Sequence, residues 1–516
     1  MRNNSAHGNT MNAEAPGGWQ HFRKQLHKLW LQVATRGLIR FGPALARVGP
    51  IRKAVVRMAS GRLEAGYRKA LETSGRPPGV EKDRLDMGLA TLHTVERALV
   101  RGQLSGTTLR GTLGTLIRDV LINQGDWSAK QQFQAEHGAN PPGFLVISPG
   151  KACNLHCTGC YADSGPVRDK LDFETFDRLV GEARELWGAR FFVISGGEPM
   201  AYHSNGLGVL DLAEKHKDCF FLMYTNGTLI DDDVARRMAA CGNITPAISV
   251  EGMRQRTDER RGEGVFDRIL EAMARLRREK VLFGLSITAT RHNADEILSD
   301  ELIDFFFNEQ GAFYAWIFHY MPIGRSFTLD LMPTPEQRLK MWNRTWQLIR
   351  ERHLFLADFW NSGTISDGCV SAGRQGGYLY IDWNGSVSPC VFVPYSPINL
   401  HQVYGQGKTL NDIWSEPLFA DIRTWQNEYG FGQPATAKHD NWLMPCPIRD
   451  HHKMFRRLLT MHEPEPTDSN ARQAMLDEDY ARGLIEYDAS YEALSKPLWE
   501  ERYLRSNGHN KDHVNA

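Results

Sequence analysis

Lys151-Ala152-Cys153-Asn154-Leu155-His156-Cys157-Thr158-Gly159-Cys160-Tyr161-Ala162 is the stretch on which the reading of this chain turns. Its three cysteines stand four and then three residues apart, directly after the apolar run Phe144 to Ile147. Thiols spaced so closely face one point only if the backbone curls around it, which suits a cuboidal iron–sulfur cluster whose irons favour thiolate. Three ligands leave one iron open, and an open iron can take up a small molecule. A zinc site is the competing reading, since His156 lies in the loop. Zinc sites draw a second pair of ligands from further along the chain, and no Cys or His nearby completes such a set.

Further on, the run Ser195-Gly196-Gly197-Glu198-Pro199 places Glu198 38 residues beyond Cys160. CxxxCxxC followed by an aromatic residue, and then Gly-Gly-Glu-Pro, resembles the radical S-adenosylmethionine (SAM) superfamily. The resemblance implies a [4Fe-4S] cluster on Cys153, Cys157 and Cys160, with SAM chelating the open iron. It gives Gly196, Gly197 and Glu198 to the methionine ammonium, Ser249 and Glu251 to the ribose hydroxyls and Arg261 to the methionine carboxylate. Tyr161 and Tyr320 become candidates for adenine contact, and Thr288 remains a weaker candidate at the end of its strand.

From Gly143 short apolar runs alternate with amphipathic helices, the pattern of βα units around a parallel sheet. Strands are expected over 143–148, 190–195, 219–224, 244–250, 281–289 and 312–318. Helices are expected over 172–187, with Asp172 as N-cap, and over 264–278. Six repeats are too few for a closed eight-stranded barrel. The fold class is therefore α/β, and the resemblance implies a partial (β/α)6 barrel over 143–332. All the motifs named above fall at the carboxyl ends of strands, where such sheets bind ligands.

A helical connector, 333–358, leads to a second cysteine set over 359–455. Cys369 is followed by fifteen residues, Gly385, four residues and Cys390, and Cys446 stands in Met444-Pro445-Cys446-Pro447. This resembles the SPASM and twitch extensions of the same superfamily, with Tyr378–Trp383 and Ser386–Phe392 as a hairpin turned at Asn384-Gly385. The remaining cysteines of a full SPASM set are missing, so one auxiliary iron–sulfur cluster is expected on Cys369, Cys390 and Cys446. His451, His452 or an open iron could complete it. Cys219 and Cys241 read as structural, and residues 456–516 as a helical tail.

Ahead of the barrel, residues 1–16 are polar and read as a disordered tail. Residues 17–142 read as a basic helical region whose last part, 124–142, is a polar linker. Between Gly17 and Ala70 twelve Lys or Arg face one acid, Glu64, and are interleaved with Trp19, Phe22, Trp30, Ile39 and Phe41. Basic amphipathic helices of this kind can lie on an anionic bilayer, with roughly 1 kcal/mol per cation near the surface. They can equally cap the barrel with their charges in water.

The 516 residues carry 61 basic and 61 acidic side chains, which gives no reason to expect nucleic acid as a partner. Eight cysteines are too few for a disulfide scaffold. No apolar run reaches the ~18–20 residues of a membrane span. A cytoplasmic protein is expected, with peripheral contact at the inner face of the membrane left open. The resemblance implies an enzyme that cleaves SAM to a 5′-deoxyadenosyl radical, draws its electron from a flavodoxin- or ferredoxin-like donor, and acts on a peptide, lipid or small molecule. A non-catalytic iron–sulfur redox sensor or electron carrier that kept the barrel is the alternative.

Overall fold

A computed structural model describes residues 48–104, 107, 127–431 and 439–504. The tail at 1–16, the helices expected around Trp19 to Phe41 and the last dozen residues lie outside the described residues. The core is one sheet. Its first strand, β1 (Phe144–Ile147), pairs in parallel with β2 (Phe191–Ile194), and the series continues through β3 (Phe220–Thr225), β4 (Ile244–Val250), β5 (Gly284–Ala289) and β6 (Ala315–His319). Runs such as Phe144-Leu-Val-Ile and Phe191-Phe-Val-Ile are buried on both faces, as strands between a helical layer and a barrel interior must be.

Local signals fix the helices that cover this sheet. The Asp172 carboxylate accepts from the Thr175 N–H at 2.7 Å and starts the helix Phe173–Trp187; Gly188, at φ +64°, ends it. Phe176, Leu179, Val180 and Ala183 on its inner face are fully buried. The helix Val265–Arg278 buries Phe266, Ile269, Met273 and Leu276 in the same way.

Two strands lie beyond the six expected ones. β7 (Leu356–Asp358) pairs in parallel with β6. β8 (Tyr378–Ile381) pairs in parallel with β1, Ile147 opposite Ile381. The expected hairpin does form, because β8 turns at Asn384-Gly385 into β9 (Ser386–Ser388). Its first strand, however, belongs to the barrel sheet and not to a separate extension. The full order is Ile398–Asn399, β9, β8, β1 through β6, then β7. Sequence periodicity marks a strand but not its partner, so this docking was illegible.

The segment expected as a linker is largely the helix Trp127–His137. Its polar composition conceals one anchor: Phe133, 1% exposed, meets the Trp414 ring edge-on at 5.0 Å. The helices Gly49–Thr73 and Pro78–Val100 pack together, and the second caps the amino ends of the strands. There Arg97 donates to the carbonyls of Arg352 and His353, and Arg101 to that of Phe307.

Candidate active site

The cysteine loop is held from three sides. Its own return strand supplies one clasp, with Cys153 N–H donating to the Gly165 carbonyl at 2.9 Å. The helix Arg254–Arg261 supplies the second: the Thr158 N–H donates to the Arg260 carbonyl at 3.0 Å, and Arg260 Nε donates back to the Thr158 carbonyl at 3.1 Å. Arg325 supplies the third, with its N–H on the Cys160 carbonyl and Nη1 on the Cys157 carbonyl, at 2.9 and 2.6 Å. Arg325 was not singled out from sequence. A signal for it exists in Gly324, φ +71°, where a Cβ would lie 2.1 Å from the Tyr161 carbonyl oxygen.

The glycine pair at the end of β2 is demanded by this same loop. A Cβ on Gly197 would stand 2.2 Å from the Ala152 carbonyl oxygen and 2.4 Å from that of Lys151. The backbones are stitched together where they touch, Gly197 N–H to the Gly150 carbonyl at 3.0 Å and Glu198 N–H to that of Ala152 at 2.8 Å. Tyr161 closes the arrangement from below, its hydroxyl 2.6 Å from Ser195 Oγ.

Glu198 sits one layer behind. Its carboxylate accepts from the Thr225 hydroxyl, the Asn226 N–H and the Met200 N–H at 2.7, 2.7 and 3.0 Å, while burial raises its pKa. Asn226 in turn points Nδ2 at Cys153 Sγ, 3.8 Å away. Glu251, 1% exposed, also lies behind the wall. Its Oε1 takes Arg260 Nη1 at 2.6 Å and Arg261 Nη2 at 2.5 Å, and Arg261 Nη1 lies 3.9 Å from Cys157 Sγ.

Cys153, Cys157 and Cys160 line one cavity of about 210 Å³, together with Tyr161, Gly196 and Gly197. Ser249, Arg261, Thr288 and Tyr320 share that wall; Glu198 and Glu251 do not. His319, also on the wall, opens the run His319-Tyr320-Met321-Pro322 that the sequence places at the end of the sixth strand without giving the histidine a role.

In the second set, Cys369, Cys390 and Cys446 lie within one another's electrostatic reach, and burial drives all three thiols upward, Cys446 to about 12. Hydroxyls meet two of them: Tyr378 lies 3.0 Å from Cys390 Sγ, and Ser371 lies 3.1 Å from Cys369 Sγ. His451 is engaged with the Met444 carbonyl and His452 with the Ile448 carbonyl, each at 2.8 Å.

The comparisons with known proteins follow this geometry. The model of the radical SAM superfamily matches residues 147–299, and that of the SPASM iron–sulfur cluster-binding domain matches residues 369–439. The chain thus carries a radical SAM domain and a SPASM domain. It is 29% identical over 156 residues to Fe-coproporphyrin III synthase of Methanosarcina barkeri, covering 30% of this chain and 38% of that protein. It is 28% identical over 316 residues to mycofactocin maturase MftC of Mycolicibacterium smegmatis, covering 57% and 76%. Among solved structures, Streptococcus suis SuiB bound to the precursor peptide SuiA aligns at a TM-score of 0.47 and 21% identity, over 57% of this chain and 70% of that one. The chain thus spans well under half of the first of these relatives.

The radical SAM domain implies a [4Fe-4S] cluster and SAM, and the SPASM domain auxiliary iron–sulfur clustering. The donor sets fit. All eight cysteines are free thiols. Burial pushes Cys153 up to about 11, and its neighbours Glu198, Cys157 and Cys160 push the same way. Thiolates gathered in that field require a cationic centre between them. At the second site three free thiols, Cys390 buried and Cys369 and Cys446 partly so, are likewise gathered within one another's field, a donor set that fits one cluster.

Proposed function

We propose that this radical SAM protein binds a [4Fe-4S] cluster on Cys153, Cys157 and Cys160 and SAM beside it, cleaves SAM reductively and oxidises or rearranges a substrate held in the barrel. The observation that carries the reading is the common cavity wall of the three thiols, the Gly196-Gly197 turn and Arg261. When bound, cluster and SAM supply a 5′-deoxyadenosyl radical able to remove hydrogen from an unactivated C–H bond. The protein's share is placement. Arg261, held by Glu251, offers a guanidinium for the methionine carboxylate, and Ser249 offers a hydroxyl to the ribose. Tyr161 and Tyr320, both on the cavity wall, would offer the adenine its contacts. Glu198 orders the ends of β2 and β3 and, through Asn226, the Cys153 sulfur.

The auxiliary set on Cys369, Cys390 and Cys446 stands behind the wall that Tyr378, Val391 and Phe392 present to the cavity. That location suits an electron acceptor for a substrate radical. A flavodoxin- or ferredoxin-like donor supplies the first cluster. The names of the relatives divide between a mycofactocin maturase and makers of Fe-coproporphyrin III or heme. They therefore leave the substrate open between peptide, lipid and small molecule.

Peripheral contact with the inner face of a membrane is part of the proposal. No described helix is long and apolar enough to cross a membrane. Val48, just before the helix Gly49–Thr73, and Ile51, Val55 and Met58 within it are exposed at three- and four-residue spacing beside Arg52, Lys53 and Arg57. Anaerobically reconstituted protein given dithionite and SAM should release 5′-deoxyadenosine, and Cys157→Ala should abolish the release. Cluster-replete protein that yields none would leave a redox sensor or electron carrier as the function.

A further inference from the structure

The cavity does not end where SAM would. From Ser195, beside the cysteine loop, to Phe191 at the start of β2 is four residues, about 13 Å at ~3.3 Å per residue. Both lie on the cavity wall. Phe144 at the start of β1, Tyr378 at the start of β8 and Trp316 near the start of β6 line the same deep end. Above them come Val146, Val193 and Leu222. An ordinary parallel barrel fills this interior with side chains. Here small residues on one arc leave it open, with Ser249 on β4 and Ser286 and Thr288 on β5 facing the aromatic arc.

The chemistry of this lining is one-sided. Among the described residues no carboxylate lines the cavity, and its only guanidinium groups, Arg260 and Arg261, sit at the cluster end, tied to Glu251. His319 is saturated by Asp358 and Arg449. The Tyr161 hydroxyl is taken by Ser195 and that of Tyr378 faces Cys390. A peptide segment lodged in the deep end would have only the hydroxyls of Tyr224, Ser286 and Thr288 and the Trp316 indole N–H to answer its N–H and C=O groups, at about 1–3 kcal/mol for each left unmet. A hydrocarbon incurs no such cost and gains about 25 cal/mol for each Å² it buries.

Resting on the radical SAM reading of the mouth, we propose that the deep end of the barrel binds an uncharged hydrocarbon group, the prenyl, acyl or ring portion of an amphiphile whose polar part stays at the cluster end. The substrate is then a lipid-like molecule lying between the two cysteine sets. One of its carbons is presented beneath SAM, and its apolar body rests on the Tyr378–Phe392 wall in front of Cys390. The exposed stripe of the helix Gly49–Thr73 lies toward the amino ends of the strands, where Arg52 pairs with Glu96. An apolar substrate drawn from a bilayer agrees with that placement.

The test uses anaerobically reconstituted enzyme saturated with SAM, so that only the deep end is vacant, and the neutral dye N-phenylnaphthylamine as probe. Saturable binding of one dye per chain, displaced by farnesol and not by a polar heptapeptide, is the expected result. Leu222→Trp, which fills the deep end, should weaken dye binding at least about tenfold. Val193→Phe, a smaller intrusion that folds more readily, should weaken it in the same direction. Iron content in both should match the parent. No saturable binding, binding unchanged in both variants, or displacement by the peptide and not by farnesol would each overturn the proposal. Dye binding requires no radical chemistry, so failure to release 5′-deoxyadenosine defeats the reading of the mouth and leaves this result to be judged separately.

Discussion

Arg449 Nη2 donates to His319 Nδ1 across 3.1 Å and so ties the arm that carries Cys446 to the end of β6. Both side chains are fully buried. Arg338 reaches the neighbouring Asp450 with Nη2 on Oδ2 at 3.0 Å, and Asp450 accepts from the Cys446 N–H at 3.1 Å. The second cysteine set is thereby keyed to the barrel by paired buried charges. Removing Arg449 leaves the buried His319 Nδ1 without its donor while Asp450 keeps Arg338, a loss of about 1–3 kcal/mol. Arg449→Met should therefore lower the melting temperature by several degrees and reduce iron bound at the second site. Arg449→Lys should recover part of the stability. A melting curve with iron and sulfide counts distinguishes these outcomes; an unchanged melt for Arg449→Met would show that the tie carries no load.

His319 gives the protein an acid limit. Burial pushes its pKa down to about 4, with Arg449 and Arg338 adding to the effect against the opposing pull of Asp358. The ring is neutral in the fold, with Nε2 donating to Asp358 Oδ2 at 3.1 Å. In the unfolded chain a histidine titrates near ~6.5, so between about 6.5 and 4 the unfolded state binds the extra proton. Stability from this residue is complete above pH 6.5 and is lost as pH falls toward 4, by roughly 1–3 kcal/mol. In His319→Gln the fall in denaturation midpoint from pH 7 to pH 5 should be shallower than in the parent. An equal slope in both would assign the acid limit elsewhere.

Gly197→Ala tests the close approach of the two backbones. The added methyl would press on the carbonyls of Lys151 and Ala152, which are backbone and cannot swing away. Overpacking of this order costs about 1–3 kcal/mol, and the loop between Gly150 and Cys153 is the part free to move. The variant should fold with an unchanged far-UV circular dichroism spectrum, yet hold its first cluster less than half as well as the parent after anaerobic reconstitution. Iron titration by absorbance at fixed protein concentration would read the difference.

What was legible in the sequence follows from what is local. Alternating apolar runs gave the six strands from Phe144 to His319, and a capping carboxylate gave the start of the helix after Asp172. The three close-set cysteines stood out by their spacing, and Gly196-Gly197 by the resemblance of the run Ser195 to Pro199 to the radical SAM motif. Long-range choices left no such mark. Nothing in Tyr378-Leu-Tyr-Ile says that it will pair with Phe144-Leu-Val-Ile across more than two hundred residues, or that Arg449 will meet His319. The deep cavity is a further instance, because it depends on which inner positions are left small. The resemblance marked Glu198 and Glu251 as candidates for SAM contact. Their partners were not legible, since Glu198 is held by the end of β3 and Glu251 by the two arginines that end the helix Arg254–Arg261.

Tyr378 joins the barrel interior to the second cysteine set, and a conservative substitution isolates that link. Its hydroxyl lies 3.0 Å from Cys390 Sγ in a buried setting where burial and the neighbouring thiols hold it firmly protonated. With an auxiliary cluster in place the sulfur is a thiolate, so the hydroxyl is the donor. Hydrogen bonds to cluster sulfurs draw off charge and raise the reduction potential. Tyr378→Phe keeps the ring against Phe144, where the centroids lie 5.2 Å apart, and deletes only the donor. The auxiliary cluster should then titrate on the order of tens of millivolts more negative, while the cluster on Cys153, Cys157 and Cys160 keeps its potential. An electron paramagnetic resonance titration resolves the two. A shift confined to the first cluster, or none in either, would mean that this hydroxyl does not face a bound cluster.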